Sequence, residues 1–457
     1  MDFQLTKLSN GLRVIMNKNN NQPTATIMAF VNVGSNWEIP EINGIAHFLE
    51  HLFFKGTKKR PTQRGLALEL EKYGAITNAF TTREMTCYHI KVNYEHLENI
   101  IEILGDILSN SLYKKDELEI ERKVVLNEIN QRMSSPAYVL DREFYKTFFQ
   151  DLPISKSVSG TSDTVSRITR DMIFAFLYKF YTPENMIISV AGNFKSYSGL
   201  KSILETHLNK MYHHNYKLSS KTFNNTLEKL DNHYKQWKMT FDLIPSITDN
   251  NTRKTLTYNY IKPEIDIKHS FITIGFNGYK YEDDNKITTQ LLASILGGSM
   301  SSRLFNSIRV KYGLVYSIHS SHISHDNNGV FSIDYSCNHD ENIQLKILTL
   351  IKKELDLLKT ELITKTDLEN RLSNLKNKAK MSQEDSYDNS FYYGVQLLKN
   401  SDPKKIRNYD DAFNLFTEIT KEDLQEEANK MFDWNKCVIS CLSPVRIDEN
   451  ILYKNLL

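Results

Sequence analysis

The chain has 457 residues, enough for two to four domains, with 40% hydrophobic and 25% charged residues, which excludes wholesale disorder and collagen-like repetition. Its 57 Lys and Arg against 55 Asp and Glu leave a net charge of +2, which gives no support to a general nucleic-acid or polyanion binder. Four cysteines do not make a disulfide framework, and no apolar run approaches the length of a membrane span.

In chain order, strand-like runs open the sequence: Phe3–Leu5 leading to Leu12–Met16, then Thr24–Val33, with the Asn-rich segment Asn17–Asn21 as a turn between them. This start lacks a secretory or transit signature, so a soluble, cytoplasmic product is expected, with a mitochondrion or related organelle as the alternative. Helical patterns follow at Ile45–Phe54 and Gly65–Tyr73. The run Asn78–Val92 alternates like one strand. Leu97, Ile100, Ile101, Leu104, Ile107 and Leu108 show helical spacing, and a long helix over Lys114–Met133 should stop at Ser134-Ser135-Pro136. Met186–Ala191 reads as an apolar strand closed by Gly192-Asn193.

Residues 213–262 are polar and rich in Asn, Lys and Thr, and read as a linker with an insertion, holding at most one helix. The second stretch repeats the order of the first: strand Ser270–Phe276, helix Ile287–Leu296, Gly297-Gly298, helix Ser302–Val310, strands Tyr316–Ser320 and Val330–Tyr335. Long helices Glu341–Leu362 and Lys365–Met381 and a last strand, Cys437–Leu442, complete it. The expected fold class is α+β with two similar domains, 1–212 and 263–457, each a mostly antiparallel or mixed sheet with helices against it.

The chemistry-bearing motif is His47-Phe48-Leu49-Glu50-His51. On a helix the two imidazoles lie one turn apart on one face and can share a metal ion, with Glu50 beside them as a proton acceptor. This is the inverted H-x-x-E-H zincin pattern, and about 0.02 accidental matches are expected in a chain of this composition. A catalytic zinc site needs a third protein ligand. The helix Lys114–Met133 offers Glu117, Glu119, Glu121 and Glu128; the last two share a face two turns apart, and spacing alone does not choose between them.

Further residues carry a family resemblance: Gly44-x-Ala46-His47-Phe48-Leu49-Glu50-His51-Leu52-x-Phe54-Lys55-Gly56-Thr57, Asn78-Ala79-Phe80-Thr81-x-Arg83-Glu84, Glu121-x6-Glu128, and Tyr181-Thr182-Pro183-Glu184-Asn185-Met186. In the second half they are Leu296-Gly297-Gly298, Ser301-Ser302-Arg303-Leu304-Phe305 and Arg309-x3-Gly313-Leu314-x-Tyr316-Ser317. The sequence resembles the pitrilysin-like zinc metallopeptidases, most closely the short-chain branch that includes the mitochondrial processing peptidase beta subunit and bacterial relatives.

That resemblance implies one zinc ion per chain, held by His47, His51 and Glu128, with Glu50 as general base and Glu121 supporting the site. It implies substrate contacts from Asn78, Ala79, Gly297 and Gly298, and binding and oxyanion roles for Arg309 and Tyr316. It further implies a domain pair forming half of a clamshell, and a homodimer, or else a heterodimer with a related subunit. The expected activity is endoproteolysis of unfolded or extended peptides, targeting presequences included; the alternative is a non-catalytic structural or peptide-binding subunit. His319, His322 and His325 are not expected to converge on a metal, because three-residue spacing on strands alternates faces. Cys437 and Cys441 lack a partner pair for a zinc knuckle.

Overall fold

The computed structural model describes residues 3–209, 220–241, 255–400 and 402–457. Contacts divide the chain into two compact units. The first comprises Met1–Ile129, Lys156–Lys238 and Ala379–Tyr409; the second comprises Asn130–Ser155, Met239–Lys378 and Asp410–Leu457. The units therefore do not follow a single cut near 212 or 262. Each takes a helix from the other end of the sequence.

In the first unit, β1 (Gln4–Lys7), β2 (Arg13–Lys18), β3 (Thr24–Val31), β4 (Ile76–Thr81), β5 (Thr86–Asn93) and β6 (Met186–Gly192) form one sheet in the order β1-β2-β6-β3-β5-β4. Only β2 and β6 run parallel, so the sheet is mixed. β3 and β6 are buried almost throughout, as central strands covered on both faces should be. The helices Ile45–Leu52 and Leu97–Asn110 pack on β5, where the Phe53 and Tyr88 rings meet at a tilt, 4.4 Å between centroids. From Cys87, one residue earlier and so on the opposite face, a second core spreads through Ile15, Met28, Phe30 and Ile187 to Tyr393, Leu397 and Leu398 of the helix Ser386–Lys399. Gly394 permits that seat: a Cβ there would stand 2.3 Å from the Phe30 ring.

The alternating run 78–92 is not one strand. It is a hairpin, broken where the Thr82 amide donates to Met85 O at 2.8 Å and Thr82 Oγ1 accepts from the amides of Glu84 and Met85. A threonine turn of this kind preserves the alternation of side chains while reversing the chain, which is why periodicity missed it. The reversal leaves β4 as the outer strand of the sheet.

In the second unit, β7 (Thr257–Ile261), β8 (Ser270–Gly278), β9 (Val315–Ser324), β10 (Gly329–Cys337) and β11 (Val438–Leu442) form a sheet in the order β7-β11-β8-β10-β9, again with one parallel pair, β7 and β11. The helices Lys286–Gly297, Glu341–Thr360, Lys421–Met431 and Glu449–Leu456 share its largest core, and the helix Pro136–Phe149 packs against β8 and β11. This is the expected α+β class with two mixed-sheet units.

Within the expected linker, a helix spans Lys221–Phe241, and its Tyr234 ring lies 5.1 Å from Trp37 of the first unit. Thr257–Ile261 is already sheet. His213 and His214 fall outside the described residues. Among the described residues, no helix is long and apolar enough to cross a membrane.

Candidate metal centre

The motif helix, Ile45–Leu52, starts at Gly44, whose φ of 96° lies in the left-handed region, and where a Cβ would stand 2.6 Å from Ser159 O. Ile45, Ala46, Phe48, Leu49 and Leu52 are buried and fix the helix against the sheet. The first-turn amides of Gly44 and Ala46 donate to the buried Glu38 carboxylate at 2.7 and 2.8 Å, and Asn43 Nδ2 adds a third bond at 2.7 Å. A helix this short depends on such anchoring, because half its backbone donors have no partner within it.

The second wall is the helix Lys115–Met133, held by buried Leu118, Val125 and Ile129. Arg122 ties it to the motif helix: its guanidinium lies 5.3 Å from the Phe48 ring centroid, and Nη2 donates to Ile168 O at 2.7 Å. This packing aims Glu121 and Glu128 at the two histidines. Glu128 Oε2 is 3.3 Å from His51 Nε2, and Glu128 Oε1 is 3.7 Å from His47 Nε2. Glu121 instead reaches the other side of His51, with Oε1 2.9 Å from Nδ1, while its Oε2 meets Lys55 Nζ at 2.5 Å.

Donors about 2.0–2.2 Å from a tetrahedral zinc ion lie roughly 3.3 Å apart, so two imidazole nitrogens and a carboxylate at these separations fit that ion. His47, His51 and Glu128 each offer an atom within 4.8 Å of the others, the one such group among the described residues. Glu117 and Glu119 stand apart from it, Glu119 pairing with Arg122 at 3.0 Å.

Carboxylates dominate the surroundings of the histidine pair. Burial alone would lower the His51 pKa, but hydrogen bonds to Glu121 and Glu128 outweigh it and push it up to about 9. Burial would raise Glu121, yet its bonds to His51 and Lys55 hold it below the ordinary carboxylate value. Glu128 thus faces the Nε2 atoms of both imidazoles, and Glu121 lies on the far side of His51. Glu50, on the same helix, accepts a hydrogen bond from Thr81 Oγ1 at 2.6 Å. Thr81 ends β4, so the outer strand bearing Asn78 and Ala79 runs directly to this carboxylate.

Sequence reasoning gave no site role to Glu38, Lys55 or Thr81, although Lys55 and Thr81 lie within the motifs that carry the resemblance. Lys55 follows His51 by four residues, the one-turn spacing that could have flagged it, whereas nothing local marks Glu38 or Thr81.

Arg309 and Tyr316 come together in the second unit, the guanidinium 5.1 Å from the Tyr316 ring and 4.7 Å from Phe305, with Tyr316 79% exposed. Gly297 ends its helix against β9, where a Cβ would stand 2.3 Å from the Ser320 amide. Gly298 follows as the cap, its own Cβ position 2.8 Å from Ser294 O. The three histidines do not converge: His319, on β9, is exposed, His322 Nε2 accepts from the Tyr279 amide at 3.0 Å, and His325, just past β9, has Nε2 3.2 Å from the Tyr145 hydroxyl. All four cysteines are free and buried.

Two family models match in tandem: insulinase (peptidase family M16) over residues 13–162, and the peptidase M16 inactive domain over 167–375. A zinc protease of Rickettsia felis is 31% identical over 436 residues, covering 94% of this chain and 95% of its own. The mitochondrial-processing peptidase beta subunit of Dictyostelium discoideum is 36% identical over 191 residues, 42% of this chain and 40% of its own. In fold, the crystal structure of a protease from Helicobacter pylori superposes with a TM-score of 0.82 at 22% identity, covering 97% of this chain and 99% of that one. The chain belongs to peptidase family M16, among relatives named as zinc proteases.

Proposed function

We propose that the chain is a zinc-dependent metalloendopeptidase that hydrolyses unfolded or extended peptides, presequence-like segments among them. The observation that carries this reading is the meeting of His47, His51 and Glu128 beside the carboxylate of Glu50.

In this reading His47, His51 and Glu128 hold the metal, leaving room for water and substrate. Zinc in such a site supplies a Lewis acid that acidifies water and polarises a carbonyl. Glu50 takes the proton of the attacking water and passes it to the leaving amine. Thr81 restrains the Glu50 carboxylate through their 2.6 Å bond. Glu121 holds the Nδ1 side of His51 and so presents Nε2 to the metal, and Lys55 keeps Glu121 ionised. An extended substrate adds to the outer strand β4 beside Asn78 and Ala79, through main-chain bonds that tolerate varied sequence. Arg309 and Tyr316 are assigned to substrate binding as a cationic fork and a phenol, and Gly297 and Gly298, at the end of their helix, to substrate contact.

Metal analysis combined with fluorogenic-peptide cleavage tests the reading. Glu50→Gln should keep stoichiometric zinc while turnover falls by about 10²–10⁴. His51→Ala should lose both. Zinc retained by His51→Ala contradicts the ligand assignment, and a well-folded wild-type protein without stoichiometric zinc favours the non-catalytic subunit.

A further inference from the structure

A cavity of about 420 Å³ opens in the second unit between the segment 301–306 and the helix Lys365–Ser382. One wall is Ser301, Arg303 and Asn306. The other is Asp367, Asn370, Arg371 and Asn374, which share a helix face at spacings of three and four. Counting Glu354, the charges around the cavity sum to zero, but they are not all paired. Arg303 is answered by Glu354, 3.0 Å from its Nε. Asp367 accepts from Thr364 Oγ1 at 2.7 Å. Arg371 is only 7% exposed, and among the described residues its guanidinium makes a single hydrogen bond, from Nη2 to Ser299 Oγ at 2.8 Å, and no ion pair.

Burying a guanidinium without a counter-charge is costly, and nearly all buried charges are paired. Burial holds the Arg371 guanidinium below the ordinary arginine value. Its remaining N–H groups have a roomy cavity beside them, rimmed by three asparagines and a serine that can also donate.

We propose that this cavity binds a carboxylate, seated on Arg371, and that the carboxylate belongs to the peptide substrate. Asp367 shares the wall but makes no ion pair with Arg371 among the described residues, and a planar guanidinium matches a planar carboxylate through two parallel bonds. Ser299 places the site in the loop that follows Gly297 and Gly298. The substrate part of the proposal rests on the peptidase reading; the anion site itself does not.

Two measurements on the full chain separate them. Calorimetric titration with N-acetylglycine, which ends as a peptide does, should show binding at least about tenfold tighter than with N-acetylglycinamide at equal ionic strength. Arg371→Met should abolish the difference; if that variant does not fold, Arg371→Lys should weaken it. Equal binding of acid and amide, or a preference that survives Arg371→Met, overturns the site. Cleavage is then compared for one peptide sequence in three forms: free C-terminus without acidic residues, its C-terminal amide, and the amide with one internal Glu. A lower KM for the first assigns the carboxylate to the C-terminus, and for the third to a side chain. Equal KM values overturn the substrate role. Binding of N-acetylglycine without cleavage of any peptide keeps the anion site and removes the peptidase reading beneath it.

Discussion

Glu121 shows how one side chain outside the proposed ligand set can orient a proposed ligand. Its Oε1 sits 2.9 Å from His51 Nδ1, which orients the ring with Nε2 facing Glu128. Glu121→Gln preserves the shape but removes the charge, and so leaves a weaker hold on the imidazole. Loss of such a partner typically costs about 10–100-fold in metal affinity. Competition with a chelator should show a drop of that size with an unchanged circular dichroism spectrum; unchanged zinc affinity would remove Glu121 from the site. At this scale much of the centre was legible. Four-residue spacing put His47 and His51 on one face, with Glu50 beside them. The choice between Glu121 and Glu128 was not legible, because seven residues on a helix return to the same face. Tertiary packing, through Arg122 against Phe48 and Ile168, sets Glu128 against both histidines and Glu121 behind His51.

The motif helix owes its position to a group far from the metal. Glu38 is fully buried and accepts from Gly44, Ala46 and Asn43, while the Lys156 ammonium donates to the Glu38 backbone carbonyl at 2.6 Å. Burial pushes the Glu38 pKa up from 4.5 to about 7, against the pull of those hydrogen bonds and of Lys156. An acid whose folded pKa is raised binds its proton more tightly in the folded state. Its contribution to stability is therefore complete below about pH 4.5 and is lost as pH rises through about 7, a change of roughly 3 kcal/mol. Glu38→Gln cannot ionise, so this component of the pH slope should vanish. Its amide NH2 would also face a backbone N–H, at a cost of about 1–3 kcal/mol. Chemical denaturation at pH 5 and pH 8 should show both effects, and parallel slopes for the two proteins would refute the assignment. Strands and helices with strong periodicity were readable, but not the Thr82–Met85 reversal. The helices Pro136–Phe149 and Ser386–Lys399 also escaped, because each takes its packing surface from a remote sheet and not from its own neighbourhood.

Across the whole molecule, the chain is interleaved in a way that no local pattern could announce. A division at 212 and 262 would leave the first unit without Ala379–Tyr409. That segment carries Tyr393, Leu397 and Leu398 onto Ile15, Met28, Phe30 and Ile187, all of which would otherwise meet water. Exposing a buried side chain of this size costs about 1.5–3 kcal/mol, and four such residues approach or exceed the roughly 5–15 kcal/mol by which a domain is stable. Lys91 would also lose Asp385, 2.8 Å away, and the buried Glu84 would lose Lys399, also 2.8 Å away. Breaking the second pair is the more costly, because both of its side chains are largely buried. The fragment 1–238, expressed alone, should therefore bind a hydrophobic dye and melt without a cooperative transition, although it contains every residue of the proposed zinc centre. Co-expression with a segment spanning 379–409 should restore both the transition and zinc binding. A cooperative melt of 1–238 alone, close to that of the full chain, would show that the helix Ser386–Lys399 is an accessory to the first unit and not part of its core.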